Sequence, residues 1–326
     1  MEFPWQKEHA TWLFERAGLL AAAGAEPVGP LVLPTSSFFP DKVDGSPEGF
    51  GRLFDRLKQH VGFSDVATNL LLVDPDANEV VSSCSSGGCG SGLKTWNGKR
   101  VETDGDGYTV HLAVPELKHP TVVTTVLARA LGEIFLFEAD VAAGGKERGA
   151  IADLAASMLG LAVLVANGSG IEVKGCGGIK VQSVTTLSGP LATLAVAVVQ
   201  RRDMLRKPAE TEPLESHLDN VARGQFAMAK AFARANDDVI RRLDDAPLTL
   251  AQGKFSLREP RTSVADRLRA VLGFKPTSDD PIVALEEELR TRAEAPRLAT
   301  SGKPARKRRA DADEIRALVD ESFSER

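Results

Sequence analysis

Residues 119–138 read His119-Pro-Thr-Val-Val-Thr-Thr-Val-Leu-Ala-Arg129-Ala-Leu-Gly-Glu133-Ile-Phe-Leu-Phe-Glu138. Apolar residues recur here at helical spacing: Val122, Val123, Val126, Leu127, Ala130, Leu131, Ile134 and Phe135. Pro120 suits the first turn of a helix, where its missing N–H costs nothing. The stretch is therefore read as a buried helix. Arg129 and Glu133 stand four apart inside it and share one face. Buried charges are costly unless paired, so this face is the first place to look for a site. Its spacing is that of a zinc-binding His-Glu-x-x-His helix, in which two His ligands sit at i and i+4.

The chain around this helix carries further motifs. Leu33 to Asp41 reads Leu-Pro-Thr-Ser-Ser-Phe-Phe-Pro-Asp and is followed by Asp44-Gly45-Ser46. Gly92-Leu93, a strand near Tyr108 to Val114, Gly149 to Leu154, Gly160-Leu161 and Ala166-Asn167 follow in order. In this order the motifs, spread over roughly residues 10 to 240, resemble a group of bacterial proteins with a zincin-like metalloprotease core. The resemblance implies an α+β, helix-rich fold, with a small β-sheet packed on a core of long helices. It aligns the first His ligand with Arg129, the catalytic Glu with Ala130, the second His with Glu133 and the carboxylate ligand with Gly149. Asp153 is the one neighbouring acidic position retained. Zinc catalysis needs about three protein ligands and an open position for water. The resemblance thus implies the fold without the activity: a pseudoenzyme, with no metal and no cofactor expected. Arg129 is expected to take the place of the lost cation, bridging Glu133 and Asp153. The alternative is an active hydrolase that has moved its chemistry to new metal ligands or to a cysteine-based site.

Composition sets the outer limits. The chain has 326 residues, 43% hydrophobic and 26% charged, which suffices for an ordinary core. A net charge of −5 gives no global footprint for nucleic acid. Met1 to Glu8 lacks a positive segment leading into an apolar run, so no signal peptide is expected and the location is read as cytoplasmic. Two apolar runs, 150–166 and 181–200, invite a membrane reading. The first is short for a span, and the second opens on polar residues and is broken by Gly189-Pro190. Both are read as helices buried in the protein core.

Further helices are expected over 5–23, 50–61 and 215–243, the last as one helix or a pair. Leu31 to Leu33 is read as a short strand. Residues 68–114 are read as a small sheet: strands at 69–73, 79–83 and 108–114, with Asn97-Gly98 and Asp104-Gly105-Asp106-Gly107 as hairpin turns. Cys84 and Cys89 fall in a small-residue loop and Cys176 in another. They are read either as thiols without a role or as a metal or disulfide set, although Cys-x4-Cys is not a standard zinc spacing. His9, His60, His111, His119 and His217 are scattered, and no recognised ligand spacing joins them.

The expected organisation is a zincin-like body over 1–250, a helical extension and linker over 251–302, and a tail over 303–326. The tail holds a basic cluster, Lys303, Arg306, Lys307, Arg308 and Arg309. A short amphipathic helix follows, showing Ile315, Leu318, Val319 and Phe323 on one face. One reading is a docking peptide that folds into a groove of another protein, with the basic cluster steering it to an acidic surface. The other is a solvated tail, or a helix that packs back on the body. Nucleic acid fits less well, because acidic residues directly follow the basic run.

Overall fold

The computed structural model describes residues 4–41, 44–74, 95–96, 98–105, 107–175, 178–207 and 213–260. The chain divides into two compact units, Met1–Arg261 and Thr262–Arg326. Only the first contains described residues, so the tail and the expected extension from residue 261 onward lie outside them, as does the strand expected at 79–83.

The first unit is helix-rich α+β. Helix α1 (Lys7–Ala22) lies against α9 (Pro247–Ala251), and the two approach closely at Gly18, where a Cβ would stand 2.6 Å from Leu250 Cβ. Helix α2 (Pro47–Val61) starts at Ser46, whose Oγ accepts the Gly49 N–H at 3.0 Å. It ends at Gly62, whose left-handed backbone (φ 79°) suits glycine.

Strands β1 (Thr68–Val73), β2 (Val101–Asp104) and β3 (Gly107–Ala113) form a mixed sheet in the order β1-β3-β2. β2 and β3 are the antiparallel hairpin that Asp104-Gly105-Asp106-Gly107 announces, with Asp104 opposite Gly107. β1 pairs parallel to β3, with Thr68 opposite Tyr108. The sheet is fastened by Glu116, which is fully buried. Its carboxylate accepts both ends of the Arg100 guanidinium at 2.9 Å and the N–H groups of Trp96 and Ala113.

After a 3-10 turn over Val114–Lys118, the quoted stretch forms α3 (Pro120–Glu138), with Pro120 at its first position. Helix α3 packs along α4 (Arg148–Ala156), and Gly132 sets their separation: a Cβ there would stand 2.0 Å from Ala152 O. The apolar run expected as one helix breaks at Gly160, whose φ is 101°, and resumes as α5 (Ala162–Gly168). At the break Gly160 O is free to accept the Val32 N–H at 2.9 Å. That contact explains why the buried stretch Leu31–Leu33, expected as a strand, lies beside a helix kink with no strand partner among the described residues.

Two strands, β4 (Ile171–Gly175) and β5 (Gly178–Gln182), then pair antiparallel as a hairpin. The second apolar run therefore does not begin as a helix. Its first residues close the hairpin and continue as an irregular, bent segment, and α6 starts only at Gly189 (Gly189–Arg206). Helices α7 (Asn220–Ala235) and α8 (Asp237–Asp245) are the pair expected over 215–243. The body continues past Leu250: Asn236 exchanges hydrogen bonds with the Arg258 backbone at 2.8 and 2.9 Å, and Phe255 packs on Phe14. Helix α3 and the stretch Arg148–Gly168 are long and apolar enough to cross a membrane by composition, and most of each is buried inside this body.

Tyr108 ties the sheet to the end of α3. Its ring lies 5.8 Å from that of Phe137, and its hydroxyl donates to Glu138 Oε1 at 2.6 Å. Burial, then the hydrogen bond and charge of Glu138, push its pKa up from 10 to about 12. Because the folded value is raised, the stabilisation from this group is complete below pH about 10 and is lost as pH rises through about 12. Tyr108 is the only tyrosine in the chain, so tyrosinate absorbance reports it alone. It should titrate near 12 in the native protein and fall back toward 10 in Glu138→Gln. A native value near 10 would contradict this contact.

Candidate functional site

Arg129 sits midway along α3 on the face turned toward α4, one turn before Glu133. Helix α4 brings up Asp153, which has no solvent exposure. Gly132 holds the two helices close enough for these side chains to meet directly. Arg129 Nε donates to Asp153 Oδ1. The other carboxylate oxygen accepts two successive backbone N–H groups from the segment before α6, Thr186 at 2.6 Å and Leu187 at 2.8 Å. The remaining guanidinium nitrogens reach the same segment: Nη1 donates to Val184 O and Nη2 to Thr186 Oγ1 at 2.8 Å.

Asp153 is thus a buried anion met by one cation and two dipoles. Burial pushes its pKa up, and the guanidinium and the two N–H groups pull it back. Arg129 is one-fifth exposed, with its outer edge toward water.

The other positions play different parts. Gly149, on α4, faces Thr186: a Cβ at this position would stand 2.5 Å from Thr186 Oγ1 and 3.1 Å from Thr186 Cβ. The missing side chain is what lets the segment settle onto Arg129. Ala130 is completely buried in the apolar core and offers no group to any chemistry.

Glu133 is half-buried. The expected bridge from Arg129 to both acids is therefore only half formed: among the described residues Arg129 pairs with Asp153, and no hydrogen bond or ion pair joins it to Glu133. Burial raises the Glu133 pKa. Arg129, Arg148 and Arg100 offset part of that rise, and Asp153 adds to it. Arg148 lies with its guanidinium 4.4 Å above the Phe137 ring and donates to Ala143 O at 3.3 Å.

Among the described residues, no group of three or more His, Cys, Asp or Glu side chains is placed to hold a metal ion. His60 makes a 3.2 Å contact with Phe38 O and packs edge-on against Phe38 and Phe39. His111 stacks on Trp96. Cys84, Cys89 and Cys176 lie outside the described residues, as do Lys303, Arg306, Lys307, Arg308, Arg309, Ile315, Leu318, Val319 and Phe323.

The partners that no sequence signal marked are Val184, Thr186 and Leu187. Three of the four bonds they contribute come from backbone groups, which any residue carries.

Comparison with known proteins gives no match: no family model, curated protein or solved structure aligns with this chain.

Removing one member of a buried ion pair strands the other. Arg129→Ala should therefore cost about 3–5 kcal/mol in denaturant unfolding. Glu133→Gln breaks no ion pair and should stay within about 0.5 kcal/mol of the parent. Equal effects of the two substitutions would contradict the assignment.

Proposed function

We infer that this chain is a zincin-like, catalytically inactive protein that serves as a scaffold or regulatory interaction module. The observation that carries the reading is the identity of the groups brought together where the resemblance puts the metal. A guanidinium stands at the first ligand position and is held by the one acidic position retained. The proposal is supported by convergence: Arg129, Gly149 and Asp153 come from two helices and meet at one segment, as ligand positions of one site would.

The donor set does not fit zinc. A guanidinium is always protonated and has no lone pair to give. Ala130 and Gly149 carry no side-chain donor atoms. Both oxygens of Asp153 already accept hydrogen bonds. Glu133 alone remains, and one carboxylate does not make a zinc centre. These residues support no zinc-dependent hydrolytic step, because no ligand set is present to hold a metal-bound water.

The partner belongs to the same proposal. The tail from Lys303 to Arg309, with Ile315, Leu318, Val319 and Phe323 behind it, has the composition of a steered docking peptide for another protein. A basic cluster followed by an amphipathic stretch supports a protein groove with an acidic rim, in the compartment where the chain is expected, the cytoplasm.

Elemental analysis of the full-length protein after zinc loading tests the first part. The expected stoichiometry is near zero, and about one zinc per chain would contradict the reading. A pull-down tests the second: protein ending at Pro304 should lose the partner that the full chain retains, and equal recovery would contradict a docking role for the tail.

A further inference from the structure

Residues 183–188, Ser-Val-Thr-Thr-Leu-Ser, cross the α3–α4 pair between the β4–β5 hairpin and α6. Two apolar side chains anchor the segment, Val184 and Leu187, both buried, while Ser183, Thr186 and Ser188 are exposed. One end is tied by the Val184 N–H, which donates to Gly168 O at 3.0 Å. The middle is tied by Arg129 and Asp153: Val184 O and Thr186 Oγ1 accept from the guanidinium, and the N–H groups of Thr186 and Leu187 donate to the carboxylate. Its remaining side-chain hydrogen bonds are local, among Ser183, Thr185 and Leu187.

The segment thus hangs largely on one ion pair. The element that leads into it is weak. β4 and β5 pair only with each other among the described residues, and a lone two-stranded hairpin is marginal in water. The element that follows is the reverse: from Leu191 to Gln200 every residue of α6 is buried. The segment therefore has a marginal hairpin on one side and a fixed helix on the other.

We propose that residues 183–188 form a strap that opens as a local unit, latched by Arg129 and Asp153 and seated by the side-chain-free surface of Gly149. Closed, the strap accepts from both terminal nitrogens of Arg129, donates twice to one Asp153 oxygen and excludes water from Asp153. Open, it leaves the Asp153 carboxylate accessible and frees two N–H edges of Arg129. The charge that this face presents is therefore set by the position of the strap. The inference deepens the interaction-module reading as a regulation of the same site. Its test uses neither metal nor partner, so the failure of one is distinguishable from the failure of the other.

Native-state amide hydrogen exchange on the full chain tests it, because local opening and global unfolding give different rates and denaturant dependences. In the parent protein, the Thr186 and Leu187 amides should exchange at least about tenfold faster than those of Val196 and Val198, with little dependence on low denaturant. Gly149→Val pushes a side chain into the seat of Thr186. It should speed Thr186 and Leu187 by about tenfold more while changing Val196 and Val198 by less than about threefold. Strap amides that exchange at the α6 rate with the α6 denaturant slope would overturn the proposal in the parent protein alone, whether or not the variant folds. An unchanged strap in a folded Gly149→Val would overturn the seating.

Discussion

A carboxylate taken fully out of water has to be met by positive charge and donors, and Asp153 is such a carboxylate at the junction of α3 and α4. An isolated ionised group in such a place would cost many kcal/mol. Here each oxygen has its own partners: Arg129 from one helix, and two consecutive backbone N–H groups from a segment 33 and 34 residues further along the chain. Three pieces of chain are thereby fixed to one point. The pair need not add much net stability over a well-packed apolar substitute. Its effect is on arrangement, since separating α3 from α4 would leave a buried charge without its partner.

That arrangement depends on positions where a side chain is missing. Gly132 lets α3 and α4 approach to a separation that excludes even a methyl group beside Ala152 O. Gly149 leaves the hollow that receives Thr186. Gly160 adopts a left-handed backbone that ends one apolar helix and starts another, and the carbonyl freed at the kink holds Val32 in place. In each case the glycine matters for a space or a backbone angle that other residues do not supply. The Glu116–Arg100 pair fastens the sheet by the same logic: a buried carboxylate, a bidentate guanidinium and two backbone N–H groups.

The helices are the most legible part of the sequence. Val122 to Phe135 repeats at helical spacing, Pro120 marks the start, and the structure places α3 within one residue of that reading. The Asp104-Gly105-Asp106-Gly107 turn likewise announces the β2–β3 hairpin. What stays hidden depends on distant partners. Ile171-Glu-Val-Lys alternates as a strand should, yet it is short and its pattern is lost in the glycine-rich turn that follows. The parallel pairing of β1 with β3 leaves no local mark. The polar start of the run over 181–200 argues against a membrane span, but nothing in those residues says that they turn back to meet Arg129. At the site, Arg129 and Asp153 are legible as charges too costly to bury alone. The half of the site made of Val184 O, Thr186 N and Leu187 N is not, because backbone groups carry no residue identity.

The central claim is that Arg129 and Asp153 act as one unit. A double-mutant cycle with Arg129→Ala, Asp153→Ala and the double variant, followed by denaturant unfolding, measures that most directly. Each single substitution leaves an unpaired charge that the double substitution removes, so the double variant should be more stable than the sum of the single losses predicts, by about 2–3 kcal/mol. Losses that add to within about 0.5 kcal/mol would mean that the two residues act independently, and the account of the site built on their pairing would be wrong.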